Sequence, residues 1–307
     1  MSEPVSVDCA QVDINALCEK MRVAAFDLDG TLARSKKPMH PDMAQALSTL
    51  TTLMPVAIIS GGAMPLLESQ VTDVLTDDAD RTHLHLMPTT GTRYFRWSGG
   101  EWTPIYQRDL DSEDRRAAIA SLEHHARAMG LWEEHTWGDR IEDRGSQITF
   151  SALGQQAPVD AKEAWDPTNE KKNRLAQAVQ RDVPHLLVRS GGSTSVDVSG
   201  RGIDKSYAVH ELARILDVPV GSMMFVGDRL DPDGNDYPAA KAGTMAIRVA
   251  GPEETLRLCT AIIDWYGTHR PRMHEWHGGR ARRADRRRSC CTGCAVLPWL
   301  RRVRRAG

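Results

Sequence analysis

A repeated unit constrains this chain more than any other feature: a short apolar run, a break, then a stretch with apolar residues at helical spacing. Residues 22–28 (RVAAFDL), 56–60 (VAIIS) and 83–87 (HLHLM) are the runs, and the stretches from Pro41 to Leu50 and from Gly62 through Leu75 lie between them. A strand covered on both faces reads as a continuous apolar run, and parallel neighbours can be joined only by a crossover, usually a helix. The expected fold is therefore α/β: a Rossmann-like parallel sheet with helices on its faces.

The rhythm breaks after Gly91. Residues 93–97 and 102–106 read as the arms of a hairpin around Ser98-Gly99-Gly100, followed by a helix over 111–129, a strand over 147–152, a helix over 170–180, and strands over 185–188 and 195–198. After Gly202 the parallel rhythm returns, with helices over 205–216, 237–242 and 252–263 and strands over 223–226 and 245–249. This pattern divides the chain into an N-terminal extension (1–20), a discontinuous core domain (21–91 and 200–265), an inserted α+β domain (92–199) and an arginine-rich tail (266–307). A length of 307 residues suits two domains.

Composition narrows the setting. No run approaches the roughly 18–20 apolar residues of a membrane helix, and the first residues lack the basic and apolar regions of a signal peptide, so a cytoplasmic protein is expected, without membrane partners. Six uneven cysteines do not make a disulfide framework. The net charge of −2 is unevenly spread: the tail holds twelve arginines against Glu275 and Asp285, leaving 27 basic and 39 acidic side chains in residues 1–265. An acidic body binds nucleic acid poorly and needs localised cations to hold an anionic substrate.

Residues 26–32 (FDLDGTL) stand where the first run ends, the place where open α/β sheets present ligand-binding groups. Asp27 and Asp29, two apart on an extended backbone, start on the same side, and Gly30 permits the turn that lets both face one pocket. FDLDGTL resembles the first signature of the haloacid dehalogenase superfamily. The resemblance implies that Asp27 attacks phosphorus to form an aspartyl-phosphate and also binds magnesium. It implies that Asp29 protonates the leaving oxygen and then activates water, with its backbone carbonyl as a further magnesium ligand.

The other signatures follow in order. Ser60 matches the second, its hydroxyl holding a phosphoryl oxygen together with the amide of Gly61, although Ser-Gly-Gly before a helix is as often a plain cap. Lys205 (GIDKSYAV) matches the third and would neutralise charge among Asp27, the phosphate and Asp228. Residues 225–236 (FVGDRLDPDGND) match the fourth: Asp228 is the expected magnesium ligand, with Asn235 and Asp236 as supporting groups. Calcium-loop spacing is not met there.

In the superfamily that the chain resembles, an insert placed between the second and third signatures is an α+β cap that closes over the site and selects the substrate, and the resemblance implies the same here. IEDRGSQITFSALG, SGGSTSVDVSGRGIDK, GDRLDPDGND and VAGPEETLRLC resemble the phosphomannomutase-like branch, whose relatives include sucrose-phosphate and trehalose-phosphate phosphatases. In that branch the cap grips the distal phosphate of the sugar through arginines. Arg144 falls on one of them, and Ser195 and Asp197 fall on positions that bind sugar hydroxyls and the distal phosphate. At two further arginine positions stand Gln155 and Lys162, and the basic residue of the loop after the first signature is Lys36 or Lys37. A guanidinium grips phosphate bidentately, whereas lysine is a point charge and glutamine is neutral. The weaker grip favours a sugar-phosphate phosphatase over a hexose-phosphate mutase, which must hold a bisphosphate while it turns round.

The resemblance also implies possible dimerisation through the cap. A third reading is a binding protein acting through its basic tail on nucleic acid or acidic lipid. Cys290, Cys291 and Cys294 with His269, His274 and His277 fit no standard zinc spacing. The tail is expected to be disordered.

Overall fold

The computed structural model describes residues 6–191 and 193–269. The readings made for residues 270–307, including the cysteine cluster and the basic tail as a binding element, lie outside the described residues.

In chain order the first part of the core comprises β1 (Val7–Asp8), α1 (Ile14–Lys20), β2 (Val23–Phe26), α2 (Pro41–Leu53), β3 (Val56–Ile59), α3 (Met64–Leu67) and β4 (Leu84–Met87). A hairpin, β5 (Arg93–Ser98) and β6 (Glu101–Gln107), leads to α4 (Ser112–Ala128), β7 (Ile141–Asp143), β8 (Gln147–Ser151), α5 (Val159–Trp165), α6 (Glu170–Asp182), β9 (Leu186–Ser190) and β10 (Ser195–Gly200). The chain returns through α7 (Lys205–Leu216), β11 (Met223–Gly227), α8 (Tyr237–Lys241), β12 (Met245–Arg248) and α9 (Pro252–Thr268).

The large sheet has the order β1-β12-β11-β2-β3-β4-β5-β6, parallel from β1 to β4. Its central strands are buried on both faces, as their unbroken apolar runs require. Alternate residues of β2 feed two cores: Ala24 and Phe26 pack with Met43, Leu47 and Leu50 of α2, and Val23 and Ala25 pack with Ala208, Val209 and Leu212 of α7. The helices begin where the sequence stops them from being strands. Pro41 fixes the first turn of α2, and the Asp204 carboxylate accepts the Ser206 amide at the start of α7.

Two boundaries differ from expectation. The hairpin, assigned to the insert, pairs antiparallel with β4 (His85 opposite Arg96) and extends the core sheet. It completes the hydrogen bonding of β4 and buries Tyr94, whose hydroxyl lies 2.8 Å from Nδ1 of buried His85. The presumed N-terminal extension also belongs to the core from residue 6 onward. There β1 pairs with β12 and α1 buries Leu17 and Cys18 in the core shared with α9. Both segments were read from local pattern alone, and only a sheet edge and a helix face elsewhere in the chain give them their places.

The second sheet, β7-β8-β10-β9, is antiparallel. Ile148 and Phe150 of β8 and Val196 and Val198 of β10 face α4 and α6, packing against Leu122, Leu175 and Val179. The intervening residues form a polar face, in which Glu142, Thr149, Asp197 and Arg189 stand opposite one another across the four strands. This unit is an α+β cap on an α/β core. Among the described residues no helix is long and apolar enough to cross a membrane.

Candidate active site

Two strand ends and the loop between β11 and α8 build the carboxylate cluster. Asp27 follows β2 directly, with its amide donating to the Val226 carbonyl of neighbouring β11 at 2.9 Å. Asp228 follows β11, and Asp236 lies at the end of the acidic loop, held by the Arg229 amide on its Oδ2 at 3.0 Å. Carboxylate oxygens of Asp27, Asp228 and Asp236 all lie within 4.8 Å of one another. Two glycines make the crowding feasible. A Cβ on Gly30, which adopts φ +82°, would come 2.5 Å from Asp228 Oδ2, and a Cβ on Gly227 would come 2.5 Å from Asp236 Oδ2.

Lys205, 2 % exposed, is the cation among these acids. Its Nζ donates to Asp27 Oδ1 and, at 2.5 Å, to Asp236 Oδ1. Burial pulls the ammonium down, but Asp236 and Asp27 outweigh it and hold Lys205 above the ordinary lysine range. Burial pushes Asp27 up to about 7 against the opposing pull of Lys205, with the charge of Asp236 adding to the rise. Burial, then the charge of Asp236, raises Asp228 to about 6. Three carboxylates against one ammonium leave an excess of negative charge in a buried place.

Asp29 is turned differently. Its Oδ1 accepts the Lys36 amide at 2.8 Å and Nε2 of Gln70 at 3.1 Å. Ser60, 2 % exposed, follows β3 directly with its Oγ accepting the Gly62 amide at 3.1 Å, while nothing stands within 4 Å of a Cβ built on Gly61. The cap reaches down to this turn: Arg144 Nη1 donates to the Gly61 carbonyl at 3.0 Å and Nη2 to Glu142 at 2.7 Å. Asp197 accepts the Thr149 hydroxyl at 2.7 Å, and burial raises its carboxyl although Thr149 and Arg144 oppose the rise. Ser195 and Asp197 both lie under Gly191, where a Cβ would come within 2.8 Å of Ser195 Oγ and 2.7 Å of Asp197 Oδ2.

Lys36 and Lys162 converge from core and cap on one acceptor, the Gln155 carbonyl, at 3.1 and 3.0 Å. Burial, followed by the charge of Lys36, pushes Lys162 down to about 8. Two ammonium groups sharing one neutral oxygen form a locally positive place.

The profile of the eukaryotic phosphomannomutase family matches residues 130–265, covering part of the cap and the returning core. A phosphomannomutase of Spinacia oleracea is 26% identical over 249 residues, 78% of this chain and 95% of that one. Another, of Solanum lycopersicum, is 24% identical over 78% of this chain and 94% of its own length. Among solved structures, the chain resembles an N-terminally truncated IMP-nucleotidase of Plasmodium falciparum (TM-score 0.61, 16% identity, 81% of this chain and 72% of that one). It also resembles a trehalose-6-phosphate phosphatase of Aspergillus fumigatus (TM-score 0.52, 14% identity, 85% of this chain and 100% of that one). The chain is an enzyme, and it is similar to the phosphomannomutase-like branch of the haloacid dehalogenase superfamily.

The structure brings Asp27, Lys205, Asp228 and Asp236 into one cluster and places Asp29, Ser60 and Gly61 on the turns after β2 and β3. Asn235 does not join them: it is exposed, whereas Asp236 is fully buried. Oxygen donors crowded by like charge suit a hard divalent cation, and removing one negative charge from the pocket would ease the burial of the rest. Sequence reading missed three groups: Gln70 on Asp29, Glu142 on Arg144, and Arg189 in the row of Asp197. Only Arg189 carried a usable signal, since it lies on the strand that pairs with the one bearing Asp197.

Proposed function

We propose that this enzyme is a magnesium-dependent phosphatase acting on a hexose phosphate through an aspartyl-phosphate on Asp27. The observation that carries the reading is the buried Asp27 carboxylate, gripped by Lys205 at a strand end, with a second carboxylate, Asp29, two residues on. A bound magnesium ion, held by Asp27, the Asp29 carbonyl and Asp228, would supply charge neutralisation to the phosphoryl oxygens.

An Asp27 oxygen bonds to phosphorus while the bond to the sugar oxygen breaks, and that oxygen takes its proton from Asp29. Lys205 screens the approach of one anion to another. Ser60 Oγ and the Gly61 amide receive a phosphoryl oxygen. In the second step Asp29 takes a proton from water as the water oxygen bonds to phosphorus, returning Asp27 as a carboxylate. Arg144, Ser195 and Asp197 bind the sugar from the cap, and Lys36 and Lys162 attract its anionic side.

The second reading is a hexose-phosphate mutase. The phosphomannomutase profile and the plant relatives favour it, as does the paired placement of Lys36 and Lys162, which offers charge to a second phosphate. Against it stands Gln155, a neutral side chain in their midst. The test is phosphate release from glucose and mannose 1- and 6-phosphates with magnesium, for wild type and Asp27→Asn, repeated with glucose 1,6-bisphosphate while isomerisation is followed. Release abolished by Asp27→Asn supports the phosphatase, and isomerisation without net release makes the enzyme a mutase. Silence in both assays overturns both readings.

A further inference from the structure

We propose that Gln70 is a positioning residue for the acid/base carboxylate, tying Asp29 to the loop that carries Lys36 and Lys37. The inference rests on the proton-transfer role given to Asp29 above.

Gln70 is 1 % exposed and lies in a π-helical turn, Glu68–Thr72, that continues α3. Such turns are rare and concentrate at functional sites, because the extra residue re-aims side chains that a regular helix would point elsewhere. From this turn Nε2 donates to Asp29 Oδ1 at 3.1 Å and to the Lys37 carbonyl at 2.9 Å. Both partners are acceptors, so the amide orientation is fixed by chemistry: the nitrogen must face them. The main-chain carbonyl of Gln70 accepts the Met39 amide at 3.0 Å, a second tie to the loop that carries Lys36 and Lys37.

The other end of the side chain argues against a purely architectural role. Oε1 is buried with no hydrogen-bond partner among the described residues. Burying an unsatisfied carbonyl opposes folding, a cost that is set against the two bonds its nitrogen makes. A glutamine here is explained by what its nitrogen does.

With two N–H donors on Oδ1, from Gln70 and Lys36, the proton that Asp29 carries is confined to Oδ2. One carboxylate oxygen becomes the anchor and the other the delivery point. Lys36 holds the anchor through its amide while standing at φ +56°, a conformation that a side chain seldom adopts, and its Nζ reaches the cap at the Gln155 carbonyl. Gln70 therefore stabilises a loop that touches the proton-transfer group at one end and the cap at the other.

The expected consequence depends on the leaving group. A sugar alkoxide needs a proton as it departs, whereas p-nitrophenolate does not. In Gln70→Met, kcat for the hexose monophosphate turned over fastest in the panel should fall about 10- to 100-fold, within the range by which positioned acids accelerate such steps. The rate of the first p-nitrophenol burst from p-nitrophenyl phosphate should stay within about threefold of wild type, because general-acid help contributes little there. Gln70→Asn, which keeps the donor but loses its reach, gives the same comparison if the methionine variant folds poorly. An equal loss on both substrates, or no loss on either, overturns the inference. A wild-type enzyme that gives neither a nitrophenol burst nor sugar-phosphate turnover overturns the underlying reading instead, and the inference with it.

Discussion

Replacing the nucleophile should abolish turnover and, without metal, relieve the fold. In Asp27→Asn the buried negative charge disappears, yet Lys205 is not orphaned, because it keeps Asp236 at 2.5 Å. Burial holds the Asp27 carboxyl at about 7 against 3.8 for the free side chain. A folded value above the unfolded one means that the native state binds the extra proton, so stability falls as pH rises from 3.8 to about 7. At about 1.4 kcal/mol per pH unit the full penalty above pH 7 is about 4 kcal/mol, and at pH 5 about a third of it is already present. Asparagine does not titrate, so the stability of the variant relative to wild type should grow by about 2–3 kcal/mol between pH 5 and pH 8. For a chain of this size that is on the order of 5–10 °C in the gap between melting temperatures. Thermal melts in EDTA at pH 5, 6, 7 and 8 measure it. A gap that is constant with pH, or that narrows toward pH 8, refutes the account of Asp27 as a buried carboxylate under like-charge crowding. Added magnesium should stabilise the wild type more than the variant, since binding to the folded state adds RT ln(1 + [L]/Kd) and the variant lacks one ligand.

Three further outcomes follow from the same geometry. Lys205→Met removes the cation from between two buried carboxylates and should destabilise the protein by about 3–5 kcal/mol at neutral pH, read by urea denaturation; a loss below about 1 kcal/mol would contradict the ion-pair geometry. Gly30→Ala puts a side chain at φ +82°, at about 1–2 kcal/mol of backbone strain, and drives its Cβ toward Asp228. Turnover should fall at least about tenfold, and a wild-type rate would show that Asp228 need not stand where it does. Lys162, held at about 8 by burial and by Lys36, loses its charge as pH rises past that value. KM for glucose 1,6-bisphosphate should therefore rise roughly 5-fold between pH 7 and pH 9, and Lys162→Arg should flatten that rise, because a guanidinium stays charged. Equal slopes in the two enzymes would remove Lys162 from the anion site.

What the sequence determined by itself was whatever depends on near neighbours. The apolar runs of β2, β3 and β11 must be buried on both faces, and each is followed by a polar residue at the sheet's carboxyl edge, so the placement of Asp27, Ser60 and Asp228 at that edge was legible. Periodicity placed α7 at 205–216, as observed. Tertiary structure decided what depends on distance across the chain. Lys205 meets Asp27 across 178 positions, and whether Asp236 or Asn235 would join them was open until the loop's fold buried the first and exposed the second. The hairpin 93–107 has the same alternating pattern in either domain, and the free edge of β4 claimed it. Gln70 carries no motif, and its role exists only because a π-turn carries its amide to Asp29. Local patterns fix which side chains are buried and where strands end. The pairing of charges is fixed by contacts between elements, and these depend on how far each helix and loop displaces the next.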